Sequence, residues 1–394
     1  MIRFKIPLWG LLAVAVLPLH NGAPAWAGPF PPAGGGPTVP IQVEVHKDGQ
    51  PQSGLTAEDF LVRDKGKEVP VMDVLEVGLE ADGENLPEEA YRQLLLLFDL
   101  EFSEPLFVMQ ATDVARQLVS PERLANTRVL IAAHEPGTGL RVELDLTDNR
   151  ERLLEMLGTL HDEHQRRLGG SETTAGPVIS GDDLITSRAR NLESEKGIVQ
   201  QEQGRILGLV RSLSRLEPLA RSVPGSTQVV VFSPGFDSSV ILGNQATQQR
   251  DAAWSVEQSE AAARGEFSTV NSASRYGGGL VETALFETLS DYVRSGVPIQ
   301  AVKIEIQGDS RPVERGSQGP NGLTLMATRT DGEVYRGTRD ELTEMTQALQ
   351  PPSFYLLTFQ SRGVESGRYR KVDVRLKDRP KGVEIVAPRG FYVP

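Results

Sequence analysis

Residues 94–98 read Leu-Leu-Leu-Leu-Phe with no polar position between them, and the run ends at once in Asp99, Glu101 and Ser103. A short stretch that is apolar at every position predicts a strand buried on both faces, as at the centre of a parallel sheet. A helix follows, with Phe107, Ala111, Val114 and Leu118 on one face. RVLIAAHE and GLRVELDLTD read as strands, with Pro136-Gly137 as the turn between them. NRERLLEMLGTLH is an amphipathic helix. A long helix near 184–222 carries Ile206, Leu209, Leu213 and Leu216 at helical spacing and stops at Pro224-Gly225. QVVVFSPGFD repeats the pattern of a buried strand with an abrupt polar end. LVETALFETLSDYVRSG predicts a helix closed by Gly296, VPIQAVKIEI a strand, and Thr338–Glu341 a capping box that opens a last short helix. Strands alternating with helices predict a mostly parallel sheet covered on both faces.

The pattern differs on either side of this region. Residues 39–78 alternate apolar and polar positions around two turn signals, KDGQ at 47–50 and Lys65-Gly66-Lys67, and predict a small antiparallel β module. Residues 351–394 return to strand-like runs, SFYLLTF, RYRKVDVRLK and GVEIVAPRGFYV, and predict a β tail. Residues 28–38 are rich in Pro and Gly and read as a flexible leader. Residues 165–183 and 237–279 carry no clear period and read as long excursions. There is no internal repeat.

The first 27 residues read as a signal peptide. Arg3 and Lys5 precede an apolar stretch broken by Pro7, Gly10 and Pro18, and Ala25-Trp26-Ala27 supplies a cleavage site before Gly28. The stretch is too short and too interrupted to be preferred as a membrane span. The mature chain is therefore expected to be secreted or periplasmic, with no transmembrane anchor after cleavage. The absence of cysteine removes disulfides and thiol chemistry. Taking Arg3 and Lys5 from the 41 basic residues leaves 39 against 53 acidic ones, a net charge of −14. That balance argues against nucleic acid as a partner.

The order of these segments resembles a known family. Residues 91–350 resemble a von Willebrand factor type A domain, and the mature chain as a whole is similar to the VWFA-related Acidobacterial domain family. The phrases that carry the resemblance are GLTAEDFLVRDKGK at 54–67 and PPSFYLLTFQSRGVESGRYRKVDVRLK at 351–377, with PRGFYVP at the end. It implies a doubly wound α/β fold with a mostly parallel sheet, an N-terminal β module and a C-terminal β tail. It also implies a metal-ion-dependent adhesion site at the carboxyl ends of the strands, where open α/β sheets bind ligands.

Such a site takes a D-x-S-x-S run, a threonine from a second loop and an aspartate after a later strand. Asp99 and Ser103 match the ends of the run, while Glu101 stands at its middle serine. Ser233-Pro234-Gly235 stands where the family has Ser-Asp-Gly, so the carboxylate expected at 234 is missing. Thr173 or Thr174 could supply the second-loop hydroxyl, and Asp237 could rebuild the lost carboxylate. The expectation is a degenerate site of Asp99, Glu101, Ser103, Thr173 and Asp237. Ser233 and Gly235 join Asp99, Glu101, Ser103 and Asp237 as binding residues. No cofactor is expected beyond Mg²⁺ or Ca²⁺ held weakly there, because a small hard cation needs about six oxygens. The bland alternative has Asp99 capping the next turn and Glu101 facing solvent.

Other chemistry is thin. His161 and His164 could share a helix face, but no third zinc ligand falls at a predictable spacing. SQGPNG reads as loop punctuation. There is no G-x-S-x-G, H-E-x-x-H or P-loop. Ser103, Ser233 and Ser238 lack a histidine at recognisable spacing, which disfavours nucleophilic hydrolysis without settling it, since triads form in space. Two functions are carried forward. One is an exported, non-catalytic adhesion or envelope-assembly module that binds an extracellular or envelope protein through loops 99–105, 171–176 and 233–240. The other is a metal-assisted or serine hydrolase on the same scaffold.

Overall fold

In a computed structural model the described residues are 36–78, 86–120, 126–170, 187–222, 225–236, 238–242, 280–303, 321–336, 341, 343–345, 349, 353–362, 368–378 and 381–393, with the backbone alone at 167–170, 187–199, 239 and 242. The signal sequence, most of the leader, Thr173, Thr174, Asp237 and the proposed capping box at 338–341 (Glu341 apart) lie outside them.

The all-apolar run forms β6, Arg92–Asp99, a strand buried at every residue. It sits inside a six-stranded sheet of order β11-β10-β9-β6-β7-β8. The partners are β7 (Thr127–Glu135), β8 (Gly139–Thr147), β9 (Ser226–Phe232), β10 (Ile299–Lys303) and β11 (Val334–Arg336). Four of the five pairings are parallel, and only the β7–β8 hairpin is antiparallel. The ends of β6 and β9 lie side by side, Phe98 opposite Phe232, and the two rings stack at 4.8 Å.

Alternation along β6 explains why both sheet faces are covered. Leu94, Leu96 and Phe98 pack with helices α1 (Pro105–Leu118) and α2 (Arg150–Gly170). Leu95 and Leu97 pack against α3 (Ser187–Ser222), and the same apolar cluster takes in α4 (Ser239–Leu242), α5 (Leu280–Ser295) and α6 (Gly322–Arg329). Each such leucine stabilises the fold by about 1.5–3 kcal/mol relative to exposure. Helix α6 begins at the last residue of SQGPNG, which reads in sequence as loop punctuation. Asn321 caps it, its side chain accepting from the Leu323 N–H at 2.8 Å, and an asparagine ahead of an apolar run is a strong start signal.

The flanking β segments pair with one another. Strand β1 (Thr38–Lys47) lies between β12 (Ser353–Gln360) and β14 (Val383–Val386), and also carries β2 (Gln50–Pro51). Strand β5 (Val71–Gly78) lies on the other side of β12. A second antiparallel sheet runs β15-β13-β3-β4, with β3 at Phe60–Asp64, β4 at Lys67–Val69, β13 at Tyr369–Leu376 and β15 at Gly390–Tyr392. Residues of both sheets share one core, with Val43, Phe60, Tyr355 and Phe359 at its centre. The parallel sheet of the expectation is thus one of three. The other two are antiparallel, and the fold is mixed α/β.

Contacts between the β sandwich and the six-stranded sheet fall at the amino ends of the parallel strands. The Arg92 guanidinium lies over the Phe354 ring at 4.7 Å, and Gln42 Nε2 donates to the carbonyls of Glu89 and Tyr91. The candidate site lies at the opposite, carboxyl end of β6.

Candidate functional site at the carboxyl edge of the sheet

Asp99 closes β6 and is 1% exposed. Its two oxygens are occupied by the protein itself. Oδ1 accepts the backbone N–H groups of Glu101 at 3.1 Å and Phe102 at 3.2 Å. Oδ2 accepts the Ser233 hydroxyl at 2.6 Å. Burial pushes this carboxyl up to about 6, and the three donors oppose that rise. Asp99 therefore caps its turn, and it also bridges to the end of the adjacent strand.

Ser233 is fully buried. While donating to Asp99 its Oγ accepts the Gly235 N–H at 3.0 Å. Gly235 has φ of +84°, and a Cβ there would collide with the Asn321 carboxamide, so only glycine fits. Asn321 Nδ2 donates to the Pro234 carbonyl at 3.3 Å, and the Gly322 N–H donates to the Phe236 carbonyl at 2.8 Å. The SPGF turn is thereby fixed to the start of α6. Pro234 contributes a carbonyl to that clamp and no side-chain oxygen.

Glu101 does not face solvent. Its side chain is 17% exposed, with Oε2 3.2 Å from His134 Nε2 at an angle short of a hydrogen bond. His134 is wholly buried on β7, and its Nδ1 lies 2.9 Å from Ser212 Oγ on α3. Burial pushes the imidazole down to about 4, so it is neutral at pH 7. A Ser212 hydroxyl donating to Nδ1 leaves the ring proton on Nε2, facing the carboxylate. Burial raises the Glu101 pKa and Arg205 opposes the rise. Arg205 Nη2 donates to the Glu101 carbonyl at 2.6 Å, its Nε lies 3.8 Å from Oε1, and the guanidinium covers the Phe102 ring at 4.2 Å.

Helix α3 reaches this cluster because residue 208 is glycine. A Cβ at Gly208 would lie 3.3 Å from His134 Cε1 and 3.6 Å from Glu101 Oε2. Ser103 stays apart. It is half-buried, and its Oγ has no hydrogen-bond partner among the described residues. Ser238 is buried. His164 is turned into the core with Nδ1 on the Leu160 carbonyl, while His161 lies beside Asp162.

The structure thus joins Asp99, Ser233 and Gly235 in one network and carries Glu101 into a second, against His134, Ser212 and Arg205. Sequence reading missed those last three and Asn321. A histidine inside an apolar strand and a glycine inside an amphipathic helix were the available signals.

The fit of a divalent cation can be judged from the donors. Mg²⁺ or Ca²⁺ requires six or more oxygens aimed at one point. Both Asp99 oxygens are already accepting, the Pro234 carbonyl accepts from Asn321, and Glu101 is directed to His134 and Arg205. Among the described residues no group of three or more His, Asp or Glu is placed to hold a metal. With Thr173 and Asp237 outside the described residues, only the Ser103 hydroxyl of the candidate donors is unengaged, too few among the described residues to fit the ion.

No protein-family model matches the chain, and no curated protein matches it. Solved structures with faint likeness include the conserved hypothetical protein BatB from Bacteroides thetaiotaomicron. That match has 11% identity and a TM-score of 0.28, and covers 65% of this chain and 96% of that one. The vWF domain of the type V pili tip protein Mfa5 from Porphyromonas gingivalis gives 10% identity, 66% and 95% coverage, and a TM-score of 0.29. The pilus adhesin SpaC from Lactobacillus rhamnosus GG, in its open conformation, gives 9%, 84% and 47%, and 0.36. Likenesses this faint decide nothing about the chain, whose own strand order and site geometry remain the ground for its reading.

Proposed function

We propose that the protein is an exported, non-catalytic binding module of von Willebrand factor A type, whose partner is an extracellular or envelope protein. The observation that carries this reading is the self-satisfied carboxyl edge. Asp99, Ser233 and Glu101 are engaged in holding the loops after β6 and β9 in place, which suits a rigid face for recognition. The strand order supports the same reading: five parallel strands with a crossover at β6–β9 and one antiparallel edge strand. In such sheets the crossover point at the carboxyl ends is the binding position. No described helix is long and apolar enough to cross a membrane. We read residues 39–78 and 351–394 as the β unit that accompanies the A-type region at 91–350.

A hydrolase is the second reading, and one observation favours it. Ser212, His134 and Glu101 follow one another as serine, imidazole and carboxylate. Ser212 is 1% exposed and His134 0%, so a substrate carbonyl has no approach to the hydroxyl, and near-attack geometry is out of reach. The array instead locks α3 to the sheet.

The test is capture from the native envelope by the immobilised chain, with variants at the carboxyl edge and far from it. Glu104 and Leu106 are exposed there, Leu106 at 41%. Glu104→Lys with Leu106→Asp should abolish capture of a defined partner, while Met72→Asp on the sandwich should not. Ester or peptide turnover that disappears with Ser212→Ala would overturn the reading in favour of the enzyme.

A further inference from the structure

We propose that Arg205 is the site's resident cation, holding Glu101 and the turn after β6 where the resemblance implies a divalent ion. The inference rests on reading the carboxyl edge as the binding face, and it adds how that face is kept in shape.

Three contacts made by one side chain carry it. Arg205 Nη2 donates to the Glu101 carbonyl at 2.6 Å, fixing the backbone of the turn. Its Nε lies 3.8 Å from the Glu101 carboxylate, and its Nη1 donates to Glu202 at 2.9 Å. Its flat face covers Phe102, the residue whose N–H caps Asp99. A guanidinium presents five donors in a rigid fork and stacks on rings, so it can serve a carbonyl, two carboxylates and an aromatic face together. Without it, Glu101 would face Glu202 with no counter-charge, and the Glu202 charge raises the cost of ionising Glu101. His134 supplies no compensating charge because it is buried and neutral.

The charge bookkeeping fits the Glu101 departure from the family pattern. A carboxylate in place of the middle serine adds a negative charge at this turn, and a cation arriving from α3 matches it. Arg205 lies 104 residues from Glu101, so the exchange joins two distant parts of the chain.

Thermal unfolding of the full chain, with and without MnCl₂, tests the proposal. Wild type should melt at the same temperature in both. Arg205→Gln should melt about 2–4 °C lower, the shift expected for a charged hydrogen bond in a domain of this size, and Mn²⁺ should restore part of the loss. Adding Glu101→Gln should remove the Mn²⁺ response, and Arg205→Lys, which keeps the charge without the fork, should fall between wild type and Arg205→Gln. A wild-type melt raised by Mn²⁺, an Arg205→Gln melt equal to wild type, or one lowered but unmoved by Mn²⁺ would each overturn it. Partner capture is not read in these melts, so failure of the binding reading and failure of this inference give separate results.

Discussion

Asp99 at the end of one parallel strand and Ser233 at the end of its neighbour are joined by a 2.6 Å hydrogen bond, buried beneath the carboxyl edge of the sheet. The bond turns two residues that resemble adhesion-site ligands into a tie between loops. A buried carboxylate is costly unless each oxygen is satisfied, and here serine and two peptide N–H groups satisfy it.

Ser233→Ala removes one of those donors and leaves Oδ2 buried and unpaired. The variant should lose about 1–3 kcal/mol of stability, read as a lower midpoint in urea with unchanged slope. Stability equal to wild type would show that the tie contributes nothing.

His134 and Asp99 pull the pH dependence in opposite directions. His134 has a folded pKa of about 4, below the ordinary value of about 6.5. The unfolded chain binds the proton first, so this residue makes stability rise with pH between about 4 and 6.5. Asp99 is raised to about 6, and makes stability fall as pH rises from about 4 to 6. His134→Gln removes the first slope and leaves the second, so this variant should lose stability as pH rises across that window. Urea unfolding from pH 4 to 6.5 checks it, and a constant offset from wild type would refute it.

Gly208 and Gly204 lie one turn apart on α3 and should respond in opposite ways. Nothing lies within 4 Å of a Cβ at Gly204, whereas one at Gly208 meets His134 and Glu101. Gly204→Ala should stabilise by about 0.5–1 kcal/mol through backbone entropy. Gly208→Leu should destabilise by about 1–3 kcal/mol through overpacking. Melting temperatures of the two variants decide it.

In the sandwich, Asp64 is buried and takes a bidentate contact from Arg370 at 2.8 Å on each arm, with Ser361 and the Arg362 N–H also donating. Burial raises its pKa, but these donors outweigh it and the net shift is downward. Arg370→Met should cost about 3–5 kcal/mol, because it leaves a buried charge without its partner. Denaturant unfolding measures the loss, and a cost under about 1 kcal/mol would show the pair to be dispensable.

The elements legible in the sequence are those whose period is local. Leu94–Phe98 reads as a strand buried on both faces, and the helical spacing of Ile206, Leu209 and Leu213 marks the inner face of α3. What stayed hidden depends on contacts across the chain. Tyr355 OH donates to the Gln52 carbonyl across 303 residues, and no local pattern announces that the two β segments share one core. His134 lies near the end of an apolar strand, and only the fold brings Ser212 and Glu101 beside it. Asp99 caps its turn, as a lone aspartate after a strand commonly does. Glu101 facing solvent was not what formed, because Gly208 lets α3 come close enough to cover it.

A carboxyl edge that holds its shape without a divalent ion should show no saturable binding of Mg²⁺, Mn²⁺ or Ca²⁺ when the chain is titrated in a calorimeter. Micromolar binding that disappears with Asp99→Ala would contradict it, since that carboxylate would then be spending its oxygens on metal instead of on Ser233 and the turn.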